Sequence, residues 1–225
     1  MELPSTGLAL SDPPGLLAAG GDLTPATLRE AYARGVFPWS SPGEPLLWWA
    51  PDPRTVIEPA ALHVSRSLAR ELTRAPWQIT LNRCFERVIR ACAAPRREDG
   101  GTWLDADMIS AYCALHTTGV AHSLEVWQGS ELAGGIYGVA QGAVFCGESM
   151  FSRVRNGSKV ALVALCARLV AWGYAVLDCQ VDNPHLARMG SVTWPRSRFE
   201  AALTGSPSTS PTAWRMDPFG GVVRA

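Results

Sequence analysis

The chain has 225 residues, 47% of them apolar and 18% charged, with a formal net charge of zero. That composition can bury a sizeable core and excludes a disordered chain. The longest apolar run, Val160 to Ala167, stops at Arg168, far short of the about 20 residues a membrane-spanning helix needs.

Residues 1–60 are rich in Pro, Gly and Trp and read as a small N-terminal lobe. Thr24 and Pro25 have the pattern of an N-cap and first helical residue. The helix they open turns Leu28, Ala31 and Tyr32 inward and stops at Gly35. The stretch FPWSSPGEPLLWWAPDPR, 37–54, carries five prolines and three tryptophans. It is expected to be rigid and extended, neither a long helix nor a central strand.

Residues 61–205 form the larger unit. Ser65 caps a helix running to about Ala75, and a strand follows near Trp77–Leu81. Phe85, Val88, Ile89 and Cys92 then recur at i, i+3, i+4 and i+7, one apolar helix face. Asp105 starts another helix with Met108, Tyr112 and Leu115 inward and Gly119 at its end. After it, AHSLEVWQG, SELAGGIYGVA and QGAVFCGES predict an antiparallel meander of three strands. A helix over about 156–172, a buried strand in YAVLDCQV, a short helix in PHLARMG and a final strand or loop complete the unit. Meander, helix, strand, helix, strand is the order of a GNAT-like acyltransferase domain, an α/β (α+β) fold. The tail, 206–225, is expected to be loose.

Charge is unevenly spread. Between Arg66 and Arg97 eight arginines face two glutamates, and between Arg153 and Arg198 seven basic residues face two aspartates. Arg66, Arg70 and Arg74 recur every four residues on one predicted helix, and Arg83, Arg87 and Arg90 follow with the next. A single such arginine is ordinarily a solvated helix back. Two successive helices with three each point to a phosphate-binding surface.

Three polar groups sit at the ends of apolar strands: Glu148 in GAVFCGESMFSR, then Asp178 and Gln180 in YAVLDCQV. A buried acid needs a compensating reason. Alternation places Asp178 and Gln180 on one face of their strand, where the carboxylate can bond the amide and aim it. Two carboxylates beside a pocket suit an amine, which near its pKa of about 8 must shed a proton before attacking. The six cysteines and four histidines show no metal spacing, and no Ser or Cys stands in a nucleophile elbow. No metal, cofactor or covalent intermediate is expected, and free buried thiols suit the cytoplasm. An acetyl-coenzyme A enzyme would carry a Q/R-x-x-G-x-G/A loop before the long helix. Here Arg153 is followed by Asn156, and Arg155 by Ser158, where glycine is required. Arg153, Arg155 and Lys159 remain near a helix N-terminus, which is still an anion site. The donor is then a different polyanion, although a thioester-dependent small-molecule N-acyltransferase of GNAT type and a noncatalytic RNA-binding module remain open.

GLLAAGGDLTP, AYARGVFPW, LLWWAPDPR, GTWLDADMISAY, AHSLEVW, GGIYGVA, GESMFSR, SKVAL and LDCQ follow in order, with HL and MG ahead of a closing PR. From about residue 15 to 203 the chain resembles the bacterial leucyl/phenylalanyl-tRNA–protein transferases. The resemblance implies transfer of Leu, and less well Phe or Met, from aminoacyl-tRNA to a protein with N-terminal Arg or Lys. The product is a destabilising N-terminus read by a Clp protease adaptor. It also implies a pocket of Ile136, Phe145, Met150, Leu162 and Leu177 for the aminoacyl side chain, and Trp49 and Trp103 around the 3′-terminal adenosine. Tyr112, Ser152 and Asn183 match further site positions. Glu148 borders the donor, and Asp178 and Gln180 receive the acceptor amine, Asp178 either taking its proton or only steering. The basic helices, with Arg66, Arg70, Arg74, Arg83 and Arg87, are left to hold the tRNA. A monomer without cofactor is expected.

Overall fold

The computed structural model of the protein describes residues 2–41, 43–74, 76–94, 102–207 and 214. A first strand, β1 (Leu16–Ala19), leads to the helix α1 (Pro25–Ala33). The Thr24 hydroxyl accepts from the Thr27 N–H at 3.3 Å, and Pro25 takes the first helical position, where a missing N–H costs nothing. Strands β2 (Phe37–Pro38) and β3 (Leu47–Trp49) join β1 in a small antiparallel sheet ordered β1-β3-β2. Among its described residues the proline-rich stretch forms no helix, as its sequence requires, but it doubles back so that β2 and β3 pair antiparallel rather than running on extended. Its last residue, however, opens β4 (Arg54–Ile57), which is an interior strand of the other sheet. Pro51 and Pro53 lie just ahead of this strand, so they remove no hydrogen bond from the ladder.

Next come α2 (Arg66–Arg74), β5 (Gln78–Leu81), α3 (Phe85–Ala93) and α4 (Ala106–Thr117). Caps fix two of these starts: Ser65 Oγ accepts from Leu68 N–H at 3.3 Å, and Asp105 Oδ1 from Met108 N–H at 2.8 Å. The meander β6 (Ala121–Gln128), β7 (Glu131–Gln141), β8 (Val144–Ser152) precedes α5 (Gly157–Trp172), β9 (Val176–Gln180), α6 (Pro184–Ala187) and β10 (Val192–Trp194). This is the order expected of the GNAT-like unit. A further helix, α7 (Arg196–Leu203), follows where a strand or loop was to end the chain's ordered part. It buries Phe199 and Leu203, an i, i+4 pair too short to stand out as a period. No helix among the described residues is long and apolar enough to cross a membrane.

The seven-stranded sheet is ordered β10-β4-β9-β8-β7-β6-β5, with only β8 and β9 parallel. Both faces are covered, so its central strands alternate between two cores rather than between core and water. Val144 and Cys146 join α1, α3 and α4 on one face; Phe145 and Leu177 join α2 and α5 on the other. α5 reaches the sheet closely because Gly157 meets Gly134: a Cβ on Gly134 would stand 2.5 Å from the Gly157 carbonyl carbon.

The tail is not uniformly loose. Trp214 is buried, stacked 4.3 Å from the His122 ring and 5.0 Å from that of Phe145. Its indole N–H donates to Tyr174 Oη at 3.0 Å, and its carbonyl accepts from Asn82 Nδ2 at 2.8 Å. A large aromatic in a polar tail gains more from burial than the ordering of a few residues costs. Residues 208–213 and 215–225 lie outside the described residues.

Candidate active site

β8 and β9 pair in parallel at Val144↔Val176, Phe145↔Leu177 and Cys146↔Asp178, and there the ladder ends. β8 runs on to Ser152 without β9. The parting strands open a cavity of about 1150 Å³. One wall is apolar: Ile136 from β7, Met150 from β8, Leu177 from β9 and Leu162 from α5. Across it stand Glu148 and Gln180. Trp103, Ser152 and Arg153 line further parts of the cavity, as do Asn183 and His185.

Two bulges aim the polar groups. Against β7, Gly138 pairs with Gly147 and Tyr137 with Ser149, leaving Glu148 as the extra residue of β8. Against β4, Val56 pairs with Asp178 and Thr55 with Gln180, leaving Cys179 extra in β9. A bulge bends its strand and re-aims a side chain. Glu148 is thereby held among hydrogen-bond donors although Phe145 and Cys146 precede it and Met150 and Phe151 follow it closely in sequence. Its Oε2 accepts from Tyr112 Oη at 3.0 Å and its Oε1 from Gln180 Nε2 at 2.8 Å. The Tyr112 and Tyr32 hydroxyls are 2.5 Å apart, extending the network into α1. Burial pushes the Glu148 carboxyl up to about 7, against the pull of the Tyr32 and Tyr112 hydroxyls; the Asp178 charge pushes the same way as burial and the Arg54 charge opposes it. A carboxyl titrating near neutrality in a cleft is suited to proton exchange.

Asp178 is arranged differently. It is fully buried and takes both arms of the Arg54 guanidinium, Nε to Oδ1 at 2.8 Å and Nη2 to Oδ2 at 2.7 Å. Arg54 lies between the rings of Phe37 and Phe199, 4.7 and 4.6 Å from their centroids. The contact with Gln180 is made through the backbone: Gln180 N–H donates to Asp178 Oδ1 at 2.8 Å. Simple alternation expected a bond to the side-chain amide, but that amide donates to Glu148.

The family model described as "Leucyl/phenylalanyl-tRNA protein transferase" matches residues 56–204, and the model of that family's N-terminal domain matches residues 21–52. The chain belongs to the leucyl/phenylalanyl-tRNA–protein transferase family. It is an enzyme of that family by the similarity of its relatives as well. A leucyl/phenylalanyl-tRNA–protein transferase of Alcanivorax borkumensis is 54% identical over 96% of this chain and 90% of its own. One of Escherichia coli O157:H7 is 53% identical over 87% of this chain and 83% of its own. Among solved structures, "The structure of L-PGS from Bacillus licheniformis" is similar with TM-score 0.42 at 12% identity, covering 69% of this chain and 57% of that one. The "GCN5-related N-acetyltransferase from Kribbella flavida" has TM-score 0.36 at 11% identity, over 72% and 58%.

In this transferase the cleft gathers most of the residues singled out in the sequence. Trp103, Ile136, Glu148, Met150, Ser152 and Leu162 line it, with Leu177, Asp178, Gln180 and Asn183. Three do not. Tyr112 lies one layer beneath, bonded to Glu148. Phe145 is buried behind the apolar wall against Trp214, because it precedes the bulge and keeps the regular alternation. Trp49 is in the small sheet, its indole N–H donating to the Trp39 carbonyl at 2.6 Å; Trp39 is the exposed member of that pair. Arg54 and Tyr32 were missed. Arg54 is the closing residue of LLWWAPDPR, and a charge after two prolines at the start of an apolar strand is the signal that could have found it.

The five arginines assigned to tRNA are all exposed. Arg66, Arg70 and Arg74 lie on α2; Arg83 and Arg87 stand over the Trp127 ring, 5.2 and 5.4 Å from its centroid. The two helices pack on opposite faces of the sheet, on either side in sequence of the edge strand β5. Arg96 and Arg97 lie outside the described residues.

Proposed function

We propose that the enzyme moves Leu, and also Phe and Met, from the 3′ end of aminoacyl-tRNA to the N-terminal Arg or Lys of acceptor proteins in the cytoplasm, marking them for N-degron-dependent degradation. The observation that carries this reading is the meeting, in one cleft, of an apolar wall with the buried Glu148 carboxyl, held by Tyr112 and Gln180. Ile136, Met150, Leu162 and Leu177 suit an unbranched-at-β aliphatic side chain, and the flexible Met150 can yield to a ring. A misplaced methyl is worth only about 1–3 kcal/mol, so selection among donors is graded.

The acceptor arrives as an ammonium. Its first proton goes to the Glu148 carboxylate. The free amine nitrogen attacks the ester carbonyl carbon, the C–N bond forms and the bond to the tRNA 3′-oxygen breaks. That oxygen takes the amine's second proton and leaves as a hydroxyl. The ester is already activated, so alignment supplies much of the acceleration. The test is radiolabelled leucyl-tRNA with a peptide beginning in Arg: label is expected in the peptide, and a folded protein that transfers none overturns the reading.

A further inference from the structure

The buried pair Arg54–Asp178 closes the back of the cleft: Asp178 belongs to its lining, and Arg54 stands behind Asp178. Arg54 is 2% exposed and Asp178 0%. Asp178 Oδ1 accepts twice, from Arg54 Nε and from Gln180 N–H, and Oδ2 accepts from Arg54 Nη2. The bond back from residue 180 to the carboxylate two positions earlier is an Asx turn. It holds Gln180 at φ +63°, in the left-handed region. A non-glycine residue rarely adopts such a conformation, and it persists only where its surroundings fix it. What the conformation achieves is visible: the Gln180 amide sits on Glu148 Oε1 at 2.8 Å.

We infer that Arg54 is a positioning residue for the transfer. Its guanidinium clamps Asp178, the clamped carboxylate holds the left-handed turn, and the turn presents the Gln180 amide to Glu148; Asp178 acts through this geometry and not as the proton acceptor. The naming of Glu148 as acceptor rests on the proposed activity. The clamp itself does not.

Two double variants separate charge from geometry. Arg54→Met with Asp178→Asn removes both charges together but keeps an oxygen for the Gln180 N–H. Neutral replacement of a whole buried ion pair is often tolerated, whereas removal of one partner is not. Turnover is expected to fall by about tenfold, with KM for aminoacyl-tRNA little changed. Arg54→Met with Asp178→Leu removes that oxygen as well. Here turnover is expected to fall by about 100-fold or more, again with little change in KM, and the nitrogen resonance of the Gln180 side-chain amide should move. Equal losses in the two folded variants overturn the inference, since the charge of Asp178 would then be what matters. Retained turnover in both overturns it too. Should either variant fail to fold, Arg54→Lys decides, because it keeps the cation and loses the two-point grip. A moved Gln180 amide resonance with a kcat about tenfold lower is expected; an unmoved resonance or an unchanged kcat overturns the clamp. The resonance is read without substrate, so a wild-type protein that transfers nothing would sink the proposed activity and leave the clamp to be judged on that signal.

Discussion

Glu148 is the residue where structure and chemistry meet most directly, and its titration can be read in two ways. Burial has raised its carboxyl from the ordinary 4.5 to about 7. Between those values the folded protein keeps a proton that the unfolded chain has released. Stability from this group is therefore full below about pH 4.5 and falls as pH rises through 7, by about 3 kcal/mol in all. Glu148→Gln should remove that slope. Urea unfolding of both proteins at pH 5 and pH 8 measures it: the variant gains on the wild type as pH rises, and a difference that stays constant between the two pH values contradicts the raised pKa. Activity gives the second reading. In the proposed transfer the carboxylate is the working form, so turnover should rise with pH through about 7. In Glu148→Gln that limb should vanish and leave only the limb of the acceptor amine, near about 8.

At the scale of elements, the cleft exists because two strands stop pairing, and what lies behind it is set by the tail. Trp214 packs on Phe145, whose strand neighbour in β9 is Leu177 of the apolar wall. Trp214→Ala removes a 2%-exposed ring and is expected to destabilise the fold by about 3–5 kcal/mol. Ending the chain at Gly205 should cost a comparable amount, and urea midpoints unchanged in both would mean that the tail contributes no packing. The tail's sequence predicts a loose segment because local composition, Ser, Thr and Pro, dominates a window that a lone aromatic cannot reverse. Elsewhere local signals sufficed: the apolar face of α3 at i, i+3, i+4 and i+7 and the Asp105 cap of α4 stand where the sequence placed them. The bulges at Glu148 and Cys179 were not legible, since a bulge is a mismatch between two strands and no single strand contains it. The same holds for Arg54 and Asp178, which meet across 124 residues of sequence. The acids themselves were visible because a carboxylate in an apolar run is anomalous in any window. Their partners were not.

Taken whole, the molecule has no net charge, so long-range attraction cannot bring a polyanion to it; only local clusters can. The exposed arginines of α2 and those beside α3 lie on opposite faces of the sheet, flanking the edge strand β5 in sequence. A tRNA that touches both must cross that edge, and a ligand confined to one face can touch only one set. The two sets can be separated by salt. Each phosphate contact contributes about 0.9 to the slope of log affinity against log salt on a duplex, and about 0.7 on a single strand. Arg70→Ala with Arg74→Ala is therefore expected to flatten the slope for tRNA by up to about 2, and Arg83→Ala with Arg87→Ala by a similar amount. The four changes together should sum the two effects if one tRNA straddles the edge. If one pair leaves the slope unaltered, the tRNA lies on a single face and that pair is an ordinary solvated helix back. If neither pair alters it, the stripes are unrelated to tRNA. The guanidiniums of Arg83 and Arg87 over Trp127 sharpen the expectation for their face. Stacking limits their rotamers before the ligand arrives, so less side-chain entropy is lost on binding there than on α2. Their double variant should accordingly lose more affinity than the α2 pair at equal change in salt slope, which filter binding at three or more salt concentrations resolves.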